Sequence, residues 1–263
     1  APVVSFYRGA IGLLIVLMWL ALQPRASGLG DRRLWFWSAI AGLGVAGNFA
    51  FYFVSIAEGT VAVAATLMYS APVFVLFVSF ALGVESATPF KWGAIAFAML
   101  GIVLLTRLYE TGAADASLSG VAAGLLAGLS YALFIFAFKY AAPRGSPQAV
   151  LAVAFAVLVA VLIWPADLAA AVTAPGTRDW PLFVALGVLG AGLSFFLYVI
   201  GLNRTSPATA SIIAMIEPAT ASLFGIVVLG EQLAGPQLLG MALILVTVTG
   251  LTVSSNVSRE KTG

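Results

Sequence analysis

The sequence predicts an all-α membrane protein made of two inverted helical repeats. Three observations carry that prediction: the composition, nine long apolar segments, and an internal repeat. The 263 residues are 62% hydrophobic and 8% charged, with a mean hydropathy of +1.10. A soluble domain carries roughly 25% charged residues, so lipid is the solvent this surface suits. The net charge of +2 is spread through connecting segments, which excludes the clustered basic stripe of a nucleic-acid-binding face. The chain has neither cysteine nor histidine. That removes disulfides, thiolate chemistry, zinc sites built from Cys and His, and histidine proton relays, so no cofactor or metal is expected.

A spanning helix needs about 20 mostly apolar residues, and breaks in hydropathy mark its ends. In chain order the qualifying segments are residues 2–22, 34–57, 61–83, 89–108, 118–141, 147–164, 180–203, 207–229 and 235–253. The connections between them are short and rich in Gly, Pro, Asp and Arg, as in Ala142-Pro143-Arg144-Gly145. Residues 165–179 form a longer connection with room for a short interfacial segment. Nothing alternates with the two-residue period of a membrane β-strand.

Lysine and arginine are asymmetric across these spans. Nine lie on one side (Arg25, Arg32, Arg33, Lys91, Lys139, Arg144, Arg204, Arg259 and Lys261), against Arg8, Arg107 and Arg178 on the other. Cytoplasmic loops carry the excess, so the C-terminus is expected inside and residue 1 at the external face. The six tryptophans fall near helix ends, as interfacial belts do.

The repeat runs through both halves of the chain. Tyr52 pairs with Tyr198, Asn48 with Ser194, Pro72 with Pro218 and Glu85 with Glu231, all at an offset of 146 residues. Pro2 and Trp19 pair with Pro147 and Trp164 at 145, and Gly93 pairs with Gly240 at 147. Spans one to four therefore match spans six to nine, and residues 118–141 have no earlier partner. The expected unit has five helices, which calls for a further helix before Pro2. An odd number inserts the two copies in opposite orientations. The expected organisation is a first repeat over 1–110 lacking its opening helix, a second over 118–254, and a cytoplasmic tail over 255–263. Inverted repeats with a midplane site are a mark of alternating-access transporters.

Two motifs of the same form recur, Pro72…Gly83-Val84-Glu85…Gly93 and Glu217-Pro218…Leu229-Gly230-Glu231…Gly240, together with an opening Ala1-Pro2…Phe6-Tyr7-Arg8. These resemble EamA-type members of the drug/metabolite transporter superfamily across essentially the whole chain. The resemblance implies a ten-helix fold, of which nine are present here, in a multi-pass protein of the bacterial inner membrane. It also implies export of small organic metabolites, and the chain looks most like bacterial exporters of aromatic and other neutral amino acids.

Glu217 lies about ten residues into a 23-residue span, hence near the bilayer midplane at 1.5 Å per residue. A carboxylate there costs at least ~2.5 kcal/mol on insertion scales, so it should face a cavity or a partner. It could hold a substrate ammonium or exchange a proton, or pair structurally with Arg8 or Tyr198. Pro218 removes the usual donor from the Ala214 carbonyl, and Pro72 is its repeat counterpart; both are candidate kinks or hinges. Arg8 could attract a substrate carboxylate or snorkel to headgroups. Asn48, Tyr52, Tyr69, Ser70, Tyr131, Ser194 and Tyr198 are polar within spans, and either line a wet path or bond neighbouring helices. Gly120, Gly124 and Gly128 form a stripe suited to close helix packing. Glu85 and Glu231 read as capping carboxylates at the rims.

An intramembrane enzyme would want a nucleophile with a base, a metal set or paired acidic motifs, and the absence of His and Cys with one buried carboxylate argues against it. A channel would show rings of charge or a carbonyl filter. Phosphorylated substrates would call for several buried cations, whereas Arg8 stands alone. The expected function is secondary active export of amino acids, aromatic or neutral, with the lipid bilayer and a small molecule as partners. The alternative is export of lipophilic cations by the same fold.

Overall fold

The structure is a computed structural model describing residues 2–22, 27–84, 88–111, 116–164, 168–230 and 232–260. Glu85 and Glu231, the expected rim caps, lie outside these. Among the described residues the chain is helical, with no strand. Six stretches are long and apolar enough to cross a membrane, and the apolar helices Pro89–Leu105, Pro147–Leu162 and Gly235–Leu251 are shorter. Each of the nine expected spans thus has its helix. In lipid every backbone group must find an internal partner, which helices provide within themselves.

The helices are α1 (Pro2–Leu22), α2 (Arg32–Ala57), α3 (Val61–Met68), α4 (Ala71–Ala81), α5 (Pro89–Leu105), α6 (Leu108–Thr111) and α7 (Leu118–Ala141). Then follow α8 (Pro147–Leu162), α9 (Leu168–Thr173), α10 (Trp180–Gly187), α11 (Ser194–Asn203), α12 (Pro207–Ala214), α13 (Ile216–Leu229) and α14 (Gly235–Glu260). Starts are set by local chemistry. Thr88, Ser146 and Ser206 each accept a bond from the amide three residues on, and a proline follows each at the first helical position. The hydroxyl satisfies an orphan N–H, and the proline has none to waste.

The chain divides into two compact units, residues 1–53 with 133–205 and residues 54–132 with 206–263. Each draws on both halves of the sequence. In the first unit α1 packs on α8 and α10. The approach is close enough that a Cβ at Gly12 would lie 2.7 Å from the Ala191 Cβ, and one at Gly187 2.5 Å from the Ile11 Cβ. Small residues at such seams let helices gain dispersion contacts that lipid would otherwise supply. In the second unit α5 lies along α14, where a Cβ at Gly101 would lie 2.8 Å from the Gly240 carbonyl oxygen. The stripe on α7 is used for packing. A Cβ at Gly120 would meet the Glu58 carbonyl, at Gly124 the Leu67 side chain, and at Gly128 the Leu67 carbonyl.

Three expected spans are interrupted. The span at 61–83 breaks between α3 and α4 at Tyr69 and Ser70, and the span at 207–229 breaks between α12 and α13 at Met215. The breaks are repeat equivalents, since 69 + 146 = 215, and each falls three residues before a proline. A proline has no N–H for the carbonyl four residues back, so the preceding turn tightens and ends. At the first break the Ser70 hydroxyl donates to the Leu67 carbonyl at 2.6 Å. The span at 180–203 instead passes through a π-helical turn, Val188–Leu193, between α10 and α11. The fourth span closes at Leu105, short of the expected 108, with Arg107 in left-handed backbone (φ 56°) and ion-paired to Glu110. The last helix runs on to Glu260, past the expected 253. Within 165–179 a short helix, α9, is present.

Candidate functional site

Within the second unit the break before α13 places Glu217 in that helix's first turn. A carboxylate is favoured there by the helix dipole. Two hydroxyls reach it: Tyr69 donates to Oε2 at 3.3 Å, and Tyr131 donates to Oε1 at 3.3 Å. Tyr69 is set by the other break, at the end of α3, and Tyr131 by α7. Both tyrosines are buried, while Glu217 is exposed. The two bonds, one to each oxygen, fix the plane of the carboxylate. A carboxylate offers about four lone-pair sites, so two donors do not saturate it. Ser70 is half-buried beside Tyr69, with its hydroxyl on the Leu67 carbonyl. Pro72 is buried and Pro218 half-buried, each just after its break.

The first unit holds the other sequence-predicted residues. Arg8 is half-buried; Nε and Nη2 both donate to the Gly190 carbonyl, at 3.1 and 2.6 Å, and Cζ lies 5.2 Å from the Phe49 ring centroid. Its guanidinium is bonded to an internal carbonyl, a partner that neither expected fate, substrate carboxylate or headgroup, had named. Asn48 is buried next to Phe49, and Tyr52 is half-buried against Phe53. Ser194 is exposed at the start of α11. Tyr198 packs among the rings of Phe134, Phe138 and Phe195, with centroids 6.2 to 6.4 Å away. That aromatic cluster is apolar in body with one polar tip.

Two features of the first unit escaped the sequence reading. The π turn beneath Gly190 leaves no mark on composition. Lys139, counted above as a loop charge, donates from Nζ to the carbonyls of Leu202, Asn203 and Thr205 at 2.8, 3.2 and 2.8 Å. It caps the C-terminal end of α11, where cations suit the exposed carbonyls. A basic residue in the last turn of α7 was the available signal. Among the described residues no group of three or more His, Cys, Asp or Glu could hold a metal.

The chain's likeness to known proteins agrees with a membrane transporter. The profile of the EamA-like transporter family matches two stretches, residues 1–107 and 118–253, as an internal repeat requires. The uncharacterised transporter YwfM of Bacillus subtilis (strain 168) is 29% identical over 101 residues, 38% of this chain and 32% of that protein. The threonine/homoserine exporter RhtA of Salmonella typhimurium (strain SL1344) is 35% identical over 74 residues, 28% of this chain and 25% of that protein. An uncharacterised transporter of Archaeoglobus fulgidus is 37% identical over 70 residues, 27% of this chain and 26% of that protein. The matched stretches thus span about a third or less of these relatives. One crystal structure of a protein superposes with a TM-score of 0.76 at 19% identity, covering 96% of this chain and 87% of that one. At that identity the likeness is one of fold.

Proposed function

Because the chain belongs to the EamA-like transporter family, we propose that it is a secondary active transporter exporting small organic metabolites, neutral and aromatic amino acids foremost. Glu217 held by Tyr69 and Tyr131 is the observation that carries this reading. An anionic group placed beside a helix interruption, and bonded by hydroxyls that leave it further acceptor capacity, suits an α-ammonium. Charge-assisted N–H···O bonds of that kind are roughly twice as strong as neutral ones. Intramembrane carboxylates are otherwise too expensive to keep without a task. The resemblance to a threonine/homoserine exporter over part of the chain points the same way.

In this reading the two halves are inverted copies that expose the substrate alternately to either side. The matched interruptions before Pro72 and Pro218 are the hinges, because short non-helical links absorb backbone rotation without breaking either half-helix. In the first unit the polar side chains Asn48, Tyr52, Ser194 and Tyr198 are the path-lining groups of this reading, and in the second unit Ser70 is. The protein sits in a bacterial inner membrane with its C-terminus cytoplasmic, the orientation that nine basic residues against three favour.

Uptake into liposomes of a panel of amino acids and cationic dyes, with and without a pH gradient, tests the assignment. Saturable uptake of neutral or aromatic amino acids is the expected result. Uptake of the dyes alone would move the assignment to lipophilic cations, and uptake of neither would refute it.

A further inference from the structure

The π turn Val188–Leu193 and Arg8 form one element. In an α-helix the Ser194 amide would donate to the Gly190 carbonyl, four residues back. Here it donates to Leu189 and Ala191 instead. The Gly190 carbonyl, released from that amide, receives two N–H bonds from Arg8. Arg8 is held over Phe49 at the same time. Isolated π turns amount to an extra residue in a helix and recur at functional positions. We infer that Arg8 is a latch that holds this turn in the π form, and that a ligand carboxylate opens it by taking the guanidinium from the Gly190 carbonyl.

The competition favours the ligand. A carboxylate offers a guanidinium charge-assisted and often paired bonds, roughly twice as strong as those to a neutral carbonyl. Once Arg8 leaves, the Ser194 amide can return to the Gly190 carbonyl. The turn then becomes α-helical, and the helix register advances by one residue, about 1.5 Å and 100°. The seam between Gly187 and Ile11 ties α10 to α1, so the rotation falls on α11. Ser194 and Tyr198 would change face, and Phe196 would leave Trp19, whose ring centroid now lies 4.4 Å away. The identity of the carboxylate as that of an amino acid rests on the function proposed above; the latch does not.

The sequence contains no cysteine, so a bimane fluorophore on F196C reports this movement through quenching by Trp19. In liposomes, Arg8→Met is expected to raise emission without any ligand, and W19F to abolish the difference. Deleting Leu189 removes the extra residue while leaving α11 in place. That deletion variant is expected to stay quenched, with Arg8→Met no longer raising its emission; an unfolded protein would be bright in both backgrounds. Phenylalanine is expected to raise emission in the parent, and phenethylamine, which lacks the carboxylate, to leave it unchanged. Equal emission with and without Arg8, a rise on Arg8→Met that persists in the deletion background, or an equal rise with the acid and the amine would overturn the latch. A bright Arg8→Met protein, quenched again by the deletion, in a chain that transports no amino acid would uphold the latch and refute the amino-acid assignment.

Discussion

The Tyr69 hydroxyl donates to the Glu217 carboxylate across 148 residues of sequence, at 3.3 Å. Tyr69 closes α3 and Glu217 opens α13, so the bond joins the two matched interruptions of the second unit. A residue that ends one half-helix thereby orients the charged group that starts another. Local backbone chemistry at two prolines sets where each half-helix breaks, and packing then brings the tyrosine and the glutamate together.

Tyr69→Phe and Tyr131→Phe each remove one hydroxyl from this carboxylate. A hydrogen bond to a charged group is worth about 1.5–3 kcal/mol. Each single variant should leave the carboxylate less firmly oriented and weaken amino-acid binding, by less than the roughly 10-fold that a whole such bond represents, because the bond is present with and without ligand. The double variant should fall short of the product of the two, because both act on one group. Equilibrium binding to purified protein in nanodiscs checks both statements.

Gly101→Ala sets a methyl 2.8 Å from the Gly240 carbonyl oxygen and from Ile244. Overpacking of this kind costs typically about 1–3 kcal/mol, so the melting temperature in detergent should drop. Gly93→Ala lies on the same helix with nothing within 4 Å of the added carbon. Its melting temperature should match the parent's within the error of the scan.

Lys139→Met takes an ammonium away from three carbonyls at the end of α11. Favourable cation–dipole contacts at a helix end contribute about 0.3–1 kcal/mol when exposed and up to ~2 kcal/mol when partly buried. Hydrogen exchange at residues 199–205 should quicken while α1 is unaffected. Lys139→Arg should restore part of the protection.

Ser206→Ala removes the cap that the Thr209 amide uses at the start of α12. The expected loss is about 1 kcal/mol, read as a lower unfolding midpoint. Thr88→Ala and Ser146→Ala should behave alike, since the three hydroxyls do the same work.

Much of the fold was legible because its signals are local. The pairs Thr88-Pro89, Ser146-Pro147 and Ser206-Pro207 mark where helices begin, and α5, α8 and α12 begin there. Apolar length marked the nine spans. The interruptions were only half legible. Pro72 and Pro218 announce a lost hydrogen bond, but the residue at which the helix ends depends on which carbonyl finds a new donor, as Leu67 does in Ser70. The π turn was not legible, because Val188–Leu193 is an apolar run whether its bonds skip three residues or four. The meeting of Tyr69, Tyr131 and Glu217 was not legible either. Sequence marks each as polar within a span, and only packing decides which hydroxyl reaches which carboxylate. Lys139 illustrates the same limit: its partners belong to a helix more than sixty residues away.

Counterflow into proteoliposomes tests the central claim most directly, with the parent protein and Glu217→Gln compared on labelled threonine and phenylalanine. Glutamine keeps the size and accepts one tyrosine bond but carries no charge for an ammonium. The account predicts label accumulation driven by unlabelled amino acid inside parent vesicles, and a loss of at least about 10-fold in Glu217→Gln, since bonds to a charged group are worth more than 1.4 kcal/mol. Full counterflow in Glu217→Gln, or none in the parent, would contradict it.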